Sequence, residues 1–262
     1  MEIRGAVAVV TGASSGIGRA TAHAFARNGA AVALAARRVH LLEKVAHEIE
    51  AAGERALAVG CDVTSGEDVE GLEREVESAF GRCDVLVNNA GVPGGGAFAD
   101  LSPEQVDRVV RTNFLAVLTC TKAFLPMMLR QGRGHIVNIA SLAGRHAVPG
   151  AAIYSATKHA VVAFSNSLFQ ELRPHGLLVT TVNPGLVETE GFPQKGTDPR
   201  LVMKPERVAD VIVGIVRSGK APEVSIPRWA GALESFRVLT PGPYRWAVGR
   251  ILKSRHRPQP AP

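Results

Sequence analysis

A chain of 262 residues is longer than a small domain and short for two, so one domain with a sizeable core is expected. With 46% apolar, 21% charged and only 5% aromatic residues, the composition is that of a soluble globular protein and excludes disordered and collagen-like classes. The net charge of +6 lies at one end: no acidic residue follows Glu234, and the 28 residues beyond it carry Arg237, Arg245, Arg250, Lys253, Arg255 and Arg257. A neutral body with one basic end argues against a nucleic-acid-binding groove.

The N-terminal apolar run is too short for a secretory segment, and no uninterrupted apolar stretch reaches the ~18 residues of a membrane span. Cys61, Cys83 and Cys120 are odd in number, widely spaced and set among apolar residues, as buried reduced thiols are. These features point to a cytoplasmic protein. No histidine pair has metal-ligand spacing, so no metal is expected.

Along the chain, strands are expected at Ala6–Val10, Ala31–Ala36, Arg55–Gly60, Val85–Asn88, His135–Ala140, Leu178–Asn183 and Glu223–Ile226. Longer segments of helical period separate them, which is the rhythm of a parallel sheet covered on both faces. Thr64 with Glu67, and Ser102 with Pro103 and Gln105, have capping-box spacing. Gly29, Gly53, Gly81 and Gly176 stand where helices should stop. Pro126, inside an apolar helical stretch, marks a kink or an end. Residues 1–228 read as one domain and 229–262 as a basic extension.

The first strand runs into Thr11-Gly12-Ala13-Ser14-Ser15-Gly16-Ile17-Gly18 and then a helix. Glycines let the backbone approach a pyrophosphate, and a helix N-terminus offers it unpaired N–H groups and partial positive charge. The same turn also serves as a plain strand-to-helix connection. The second strand ends at Ala35-Ala36-Arg37-Arg38, where an NAD site usually carries an acid for the ribose 2′-hydroxyl. Here no acid lies between Ala30 and His40, and Arg37 with Arg38 can pair with a 2′-phosphate, so NADP is the expected cofactor. Paired arginines also commonly solvate a helix start.

Thirteen positions after Ser141 comes Tyr154-Ser155-Ala156-Thr157-Lys158. Tyr and Lys at i and i+4 share a helix face, and an ammonium beside a phenol favours the phenolate. Alone, such a pair is usually just helix surface.

Taken together, these residues resemble the short-chain dehydrogenase/reductase family. Thr11–Gly18 is similar to its glycine turn, Asn88-Asn89-Ala90-Gly91 to its Asn-Asn-Ala-Gly motif, and Asn113, Ser141, Tyr154 and Lys158 to its catalytic tetrad. Pro184-Gly185 and Thr189 are similar to the segment after its sixth strand, and the resemblance covers about residues 5 to 227. It implies a doubly wound α/β (Rossmann) fold with a mostly parallel seven-stranded sheet and helices on both faces. Tyr154 would exchange a proton with a carbonyl or alcohol oxygen, Lys158 would lower its pKa and hold the nicotinamide ribose, and Ser141 would steady the oxyanion. Asn113 would hold a water linking Lys158 to solvent. Thr11, Gly12, Ser14, Ser15, Gly16, Ile17, Gly18, Arg37, Arg38, Asp62, Val63, Asn89, Ala90, Gly91, Pro184, Gly185, Val187 and Thr189 would contact the cofactor, Asp62 through the adenine amino group. Asn88 reads as structural. A homodimer or homotetramer through the helices around Phe114–Phe124 and Ala160–Leu172 is also implied.

The substrate walls are expected in Pro93–Phe98, Leu142–Ile153 and the aperiodic segment Leu186–Lys204. Phe98, Leu142, Val148 and Phe192 make an apolar pocket, and the last segment reads as a lid. His146 would meet an acidic substrate or simply be solvated. On these grounds the chain is read as an NADP-dependent oxidoreductase of a small carbonyl or secondary alcohol, with no nucleic-acid partner. The rival readings are a non-catalytic NADP sensor and a membrane-surface protein. The latter would act through Tyr244–Lys253, an amphipathic helix with basic flanks that, with Trp229 and Trp246, suits weak contact with anionic lipid, although so short a helix is expected first to dock on its own subunit or a neighbour and help close the substrate site.

Overall fold

In the computed structural model, residues 1–194, 196–220 and 222–227 are described, together with Trp229, Thr240, Gly242 and Pro243. The expected helix over Tyr244–Lys253 and Trp246 lie outside the described residues.

Seven strands form one parallel sheet: β1 (Val7–Thr11), β2 (Ala31–Ala36), β3 (Ala56–Gly60), β4 (Val85–Asn88), β5 (Gly134–Ile139), β6 (Leu177–Pro184) and β7 (Glu223–Ile226), in the order β3-β2-β1-β4-β5-β6-β7. Strands buried on both faces need apolar side chains at every position, not alternating ones, and β1 reads Val-Ala-Val-Val-Thr with all five buried. The helices that follow are α1 (Gly16–Arg27), α2 (Val39–Ala51), α3 (Gly66–Phe80), α4 (Pro103–Val110), α5 (Ala116–Gln131), α6 (Ala152–Leu172) and α7 (Pro205–Ser218).

The two-residue period of the strands divides the core into two layers. Ala8 and Val10 of β1, with Val32 and Leu34 of β2, meet Phe25 of α1, Leu42 and Ile49 of α2 and Ile212 of α7. Val7 and Val9, with Ala33 and Ala35, meet Leu72 of α3, Phe124 and Met128 of α5 and Leu168 of α6. The run Pro103–Gln131 is long and apolar enough by composition to cross a membrane, yet Cys120, Phe124, Met127 and Met128 are buried against the sheet as in a core helix. Pro126 lies inside α5, and the helix continues past it to Gln131. All three cysteines are buried thiols, and burial raises those of Cys61 and Cys120 to about 12.

The expected strands are found within a residue or so of their bounds. The caps divide. Ser102 and Gln105 form the full reciprocal capping box at α4, but α3 is capped one residue later than expected. Ser65 Oγ accepts from Asp68 N at 3.2 Å, because Thr64 is already committed to Asp62, donating its N–H (2.9 Å) and its hydroxyl (2.7 Å) to Oδ1. Gly81 and Gly176 end their helical segments in the left-handed region, with φ of 68° and 76°.

At the N-terminal edge, the buried carboxylate of Asp84 takes the N–H of Val7 at 2.9 Å and pairs with Arg82. Its own backbone N–H donates to Val7 O, and its carbonyl accepts from His135 N, each at 2.9 Å. One residue thus fastens β1, β4 and β5 at that end. Asp84→Ala would strand a desolvated N–H, while Arg82, being partly exposed, can rehydrate. A loss of about 2–3 kcal/mol is expected, seen as a Tm drop of about 5–10 °C by circular dichroism, with cofactor affinity unchanged.

Candidate active site

The strand order reverses between β2-β1 and β1-β4, and at such a point the connections diverge to opposite faces and leave a crevice at the carboxyl ends of the strands. A groove of about 1200 Å³ lies there. Its lining includes Gly12, Ser14, Ser15, Gly16, Ile17, Arg37, Arg38, Asp62, Val63, Asn89, Ala90 and Gly91 on the expected nucleotide side. Ser141, Tyr154, Lys158, Pro184, Gly185, Val187 and Thr189 follow at the other end. Thr11 and Gly18 stand beneath the groove.

Thr11 is 2% exposed, and its hydroxyl accepts from the N–H groups of Asn89 (3.0 Å) and Ala90 (3.1 Å). Asn89 Nδ2 donates back to Thr11 O at 2.8 Å. A Cβ on Gly18 would come within 2.3 Å of Gly12 O and 2.5 Å of Asn89 Nδ2, so close packing requires glycine there. Asn88 is structural, as expected: its Nδ2 donates to Asn138 Oδ1 (2.8 Å) and Thr121 Oγ1 (3.1 Å) inside the core.

The N-terminus of α1 fits an anion. Ser15 caps it without a side-chain bond, and its first turn has no acidic residue, so its orphan N–H groups and dipole face the groove. Arg38 Nη2 donates to Ser14 Oγ (3.2 Å) and Ser15 Oγ (2.9 Å), extending positive charge over this turn. Arg37 is exposed and 3.9 Å from Asp62 Oδ2. The local sequence lacks an acid here, yet a carboxylate arrives from far along the chain, since Arg38 Nη1 donates to Glu190 Oε1 at 2.5 Å. Asp62 itself organises the turn before α3 through Thr64.

At the other end, Tyr154 stands in the first turn of α6 with Lys158 one turn on, and Lys158 Nζ lies 5.7 Å from the Tyr154 ring centroid. The buried ammonium donates to Ile139 O at 2.8 Å, and desolvation lowers its pKa to about 8. Burial raises the Tyr154 phenol above its ordinary value, and a hydrogen bond with Ser141 pulls against that rise. The ring of Phe192 packs on Tyr154 at 5.9 Å between centroids. Ser141 Oγ also accepts from Ala143 N at 3.1 Å, capping a short 3-10 turn over Leu142–Gly144. That turn sits so close to α6 that a Cβ on Gly144 would be 2.7 Å from Lys158 O. Beyond it, Arg145 pairs with Glu223, which also takes Asn183 Nδ2, fixing the loop before α6 to β6 and β7.

Asn113 lies in a π-turn, Arg111–Leu115, between α4 and α5. It is fully buried, and its side chain clamps the backbone of Val92, accepting from N at 2.7 Å and donating to O at 2.9 Å. Its Oδ1 would be 3.3 Å from a Cβ on Gly91.

The segment expected to act as a lid leaves β6 and returns to its own base. Glu188 N donates to Met203 O (3.1 Å) and Met203 N to Leu186 O (2.8 Å). Leu142, Val148, Phe192, Leu201 and Met203 line the groove beside Tyr154, as does Trp229. Phe98 does not join them: it is 61% exposed and borders a separate shallow groove with Leu101, Val106 and Val110. Among the described residues, no cluster of His, Cys, Asp and Glu could hold a metal ion. Glu190, the Val92 clamp and the Ile139 carbonyl were not anticipated, since each is joined to its partner only by the fold.

Comparison with known proteins matches residues 6–200 to the family described as short chain dehydrogenase. The chain is 46% identical over 185 residues to a putative ketoacyl reductase of Streptomyces coelicolor, a match covering 70% of this chain and 71% of that protein. It is 37% identical over 193 residues to Dehydrogenase/reductase SDR family member 7B of Bos taurus, covering 71% of this chain and 59% of the bovine protein's length. A short chain dehydrogenase/reductase from Burkholderia phymatum in complex with NAD has TM-score 0.83 at 30% identity, over 90% of this chain and 94% of that one. An actinorhodin polyketide ketoreductase variant with NADPH has TM-score 0.79 at 36% identity, over 85% and 95%.

The buried ammonium has a measurable consequence. Lys158 loses its proton near pH 8 when folded and near 10.5 when unfolded, so between these values the unfolded chain binds more protons and stability contributed by this group rises with pH. Urea unfolding of wild type and Lys158→Met across this range should show their difference shifting by about 2–4 kcal/mol in favour of wild type. A flat difference would mean that the ammonium is hydrated.

Proposed function

The chain belongs to the short chain dehydrogenase family, and from that we propose that it reduces an apolar ketone or aldehyde with NADPH, or oxidises the corresponding secondary alcohol. The carrying observation is that Ser141 and Tyr154 line one groove with the buried Lys158 ammonium 5.7 Å from the Tyr154 ring. When bound, the nicotinamide supplies or accepts the hydride at the substrate carbon, and the protein manages position and proton.

Two features support the choice of cofactor. The N-terminus of α1 is free of acids, and the end of β2 presents Ala36 and Arg38 where a carboxylate would repel a 2′-phosphate. The ketoreductase relative with NADPH agrees with this choice, whereas the NAD-bound relative shows that the fold itself accepts either.

In reduction, Tyr154 has to hold its proton until the carbonyl oxygen is in place. A phenol raised by burial is in that form at neutral pH. Ser141 Oγ lies beside it and donates to the same oxygen as negative charge develops there. After transfer, the Lys158 ammonium stabilises the phenolate left behind, which attraction across 5–6 Å of low-dielectric interior makes effective. Asn113 acts by position: it holds Val92 and with it the backbone at Gly91, next to Lys158 Nζ. Leu142, Val148, Phe192 and Met203 favour an apolar substrate body. Pairing with a second copy would draw on exposed apolar residues of α5 and its π-turn, among them Leu129 and Leu115.

Tyr154→Phe removes the transferred proton and little else, so kcat should fall by about 10²- to 10⁴-fold, with NADPH affinity near wild type by fluorescence titration. Near-normal turnover in that variant would refute the assignment. Wild type should bind NADPH about ten- to a hundredfold more tightly than NADH, the value of one charged hydrogen bond. Ala36→Asp with Arg38→Ala should reverse the order.

A further inference from the structure

Arg38 is held from two sides. The glycine turn supplies Ser14 Oγ and Ser15 Oγ to Nη2, and Nη1 faces the carboxylate of Glu190, 152 positions away in the chain. Glu190 follows Thr189, whose Cβ would lie 3.0 Å from a Cβ on Gly16, so the segment after β6 is seated on the turn and then reaches across to Arg38. Both partners are partly exposed, at 40% for the Arg38 side chain and 62% for Glu190, so the pair sits at the rim, where solvent and solutes reach it.

We propose that Glu190 is a specificity-determining residue that tempers discrimination between the two nicotinamide cofactors. Its carboxylate takes, on Arg38, the place that the 2′-phosphate of NADP(H) needs. The inference rests on the reading of Arg38 as the anchor of that phosphate. Two anions cannot both pair closely with one guanidinium without repelling each other, so the phosphate-bearing cofactor displaces Glu190. A cofactor with a free 2′-hydroxyl leaves the ion pair intact. Arg38 holds the Glu190 carboxyl below the ordinary carboxylate range, so this rival is charged throughout the neutral range. An NAD-type site places its acid at the end of the second strand, as part of the ribose pocket. Here the acid comes from the segment after β6 and contacts a cation instead.

The test measures dissociation constants of NADPH and NADH by fluorescence titration for the full-length chain, Glu190→Gln and Arg38→Ala. Glu190→Gln should tighten NADPH about two- to fivefold, the scale of an exposed ion pair, and leave NADH within about twofold. The gain should shrink as salt is raised, because screening weakens the displaced pair. If Arg38→Ala weakens NADPH but Glu190→Gln leaves NADPH unchanged or weakens it, Glu190 is a structural clamp and the inference falls while the role of Arg38 stands. If Arg38→Ala leaves NADPH affinity unaltered, the reading of Arg38 fails and takes the inference with it.

Discussion

The tie between the carboxyl ends of β1 and β4 is the constraint on which the groove depends. Thr11 Oγ1 accepts from two successive N–H groups just after β4, and Asn89 returns the bond to Thr11 O. Those bonds hold the two strand ends together where their connections part to opposite faces. Gly12 and Gly18 can then pack against Asn89 and against each other with no room for a side chain, which aims the first turn of α1 into the crevice. The Asn-Asn-Ala-Gly motif therefore builds the site from below: Asn88 in the core, Asn89 at the tie, and Gly91 beside Asn113 and Lys158.

A second constraint is electrostatic. Burying an ammonium is costly unless its donors are satisfied, and Lys158 has one bond, to Ile139 O. Its pKa is correspondingly depressed, while the neighbouring phenol is raised. Desolvation thus pushes the two groups toward their neutral forms and moves apart two pKa values that are nearly equal in water, the ammonium's falling while the phenol's rises. Burial raises the phenol in this structure, with Phe192 covering one side of the Tyr154 ring, and the pull against that rise comes from Ser141.

Much of this was legible in the sequence because the relevant signals are local. All-apolar runs such as Val7–Val10 and Ala31–Ala36 can only be central strands in a chain of this kind, and glycines at tight turns mark themselves. Ser141, Tyr154 and Lys158 line one groove, whereas Asn113 is fully buried and does not reach it. What was not legible depends on distant partners. No period shows that Glu190 reaches Arg38, that Asn113 spends both side-chain groups on Val92, or that Phe98 turns away from the groove toward Leu101 and Val106. The cap of α3 was misplaced for a related reason, since Thr64 has suitable chemistry but Asp62 had already engaged it.

The excursion after β6 departs and returns at a single point, pinned by Leu186, Glu188 and Met203. Its interior can therefore change length or sequence without shifting β6 or α7, and the entropy of closing a longer loop grows only logarithmically, by about 0.6 kcal/mol for each doubling. Phe192 and Leu201, which line the groove, ride on this segment, whereas Tyr154 and Lys158 ride on a core helix. The stretch beyond Phe192 is thus free to be redrawn, whereas Thr189, Glu190 and Phe192, seated on Gly16, Arg38 and Tyr154, tie the start of the excursion to the glycine turn and to α6.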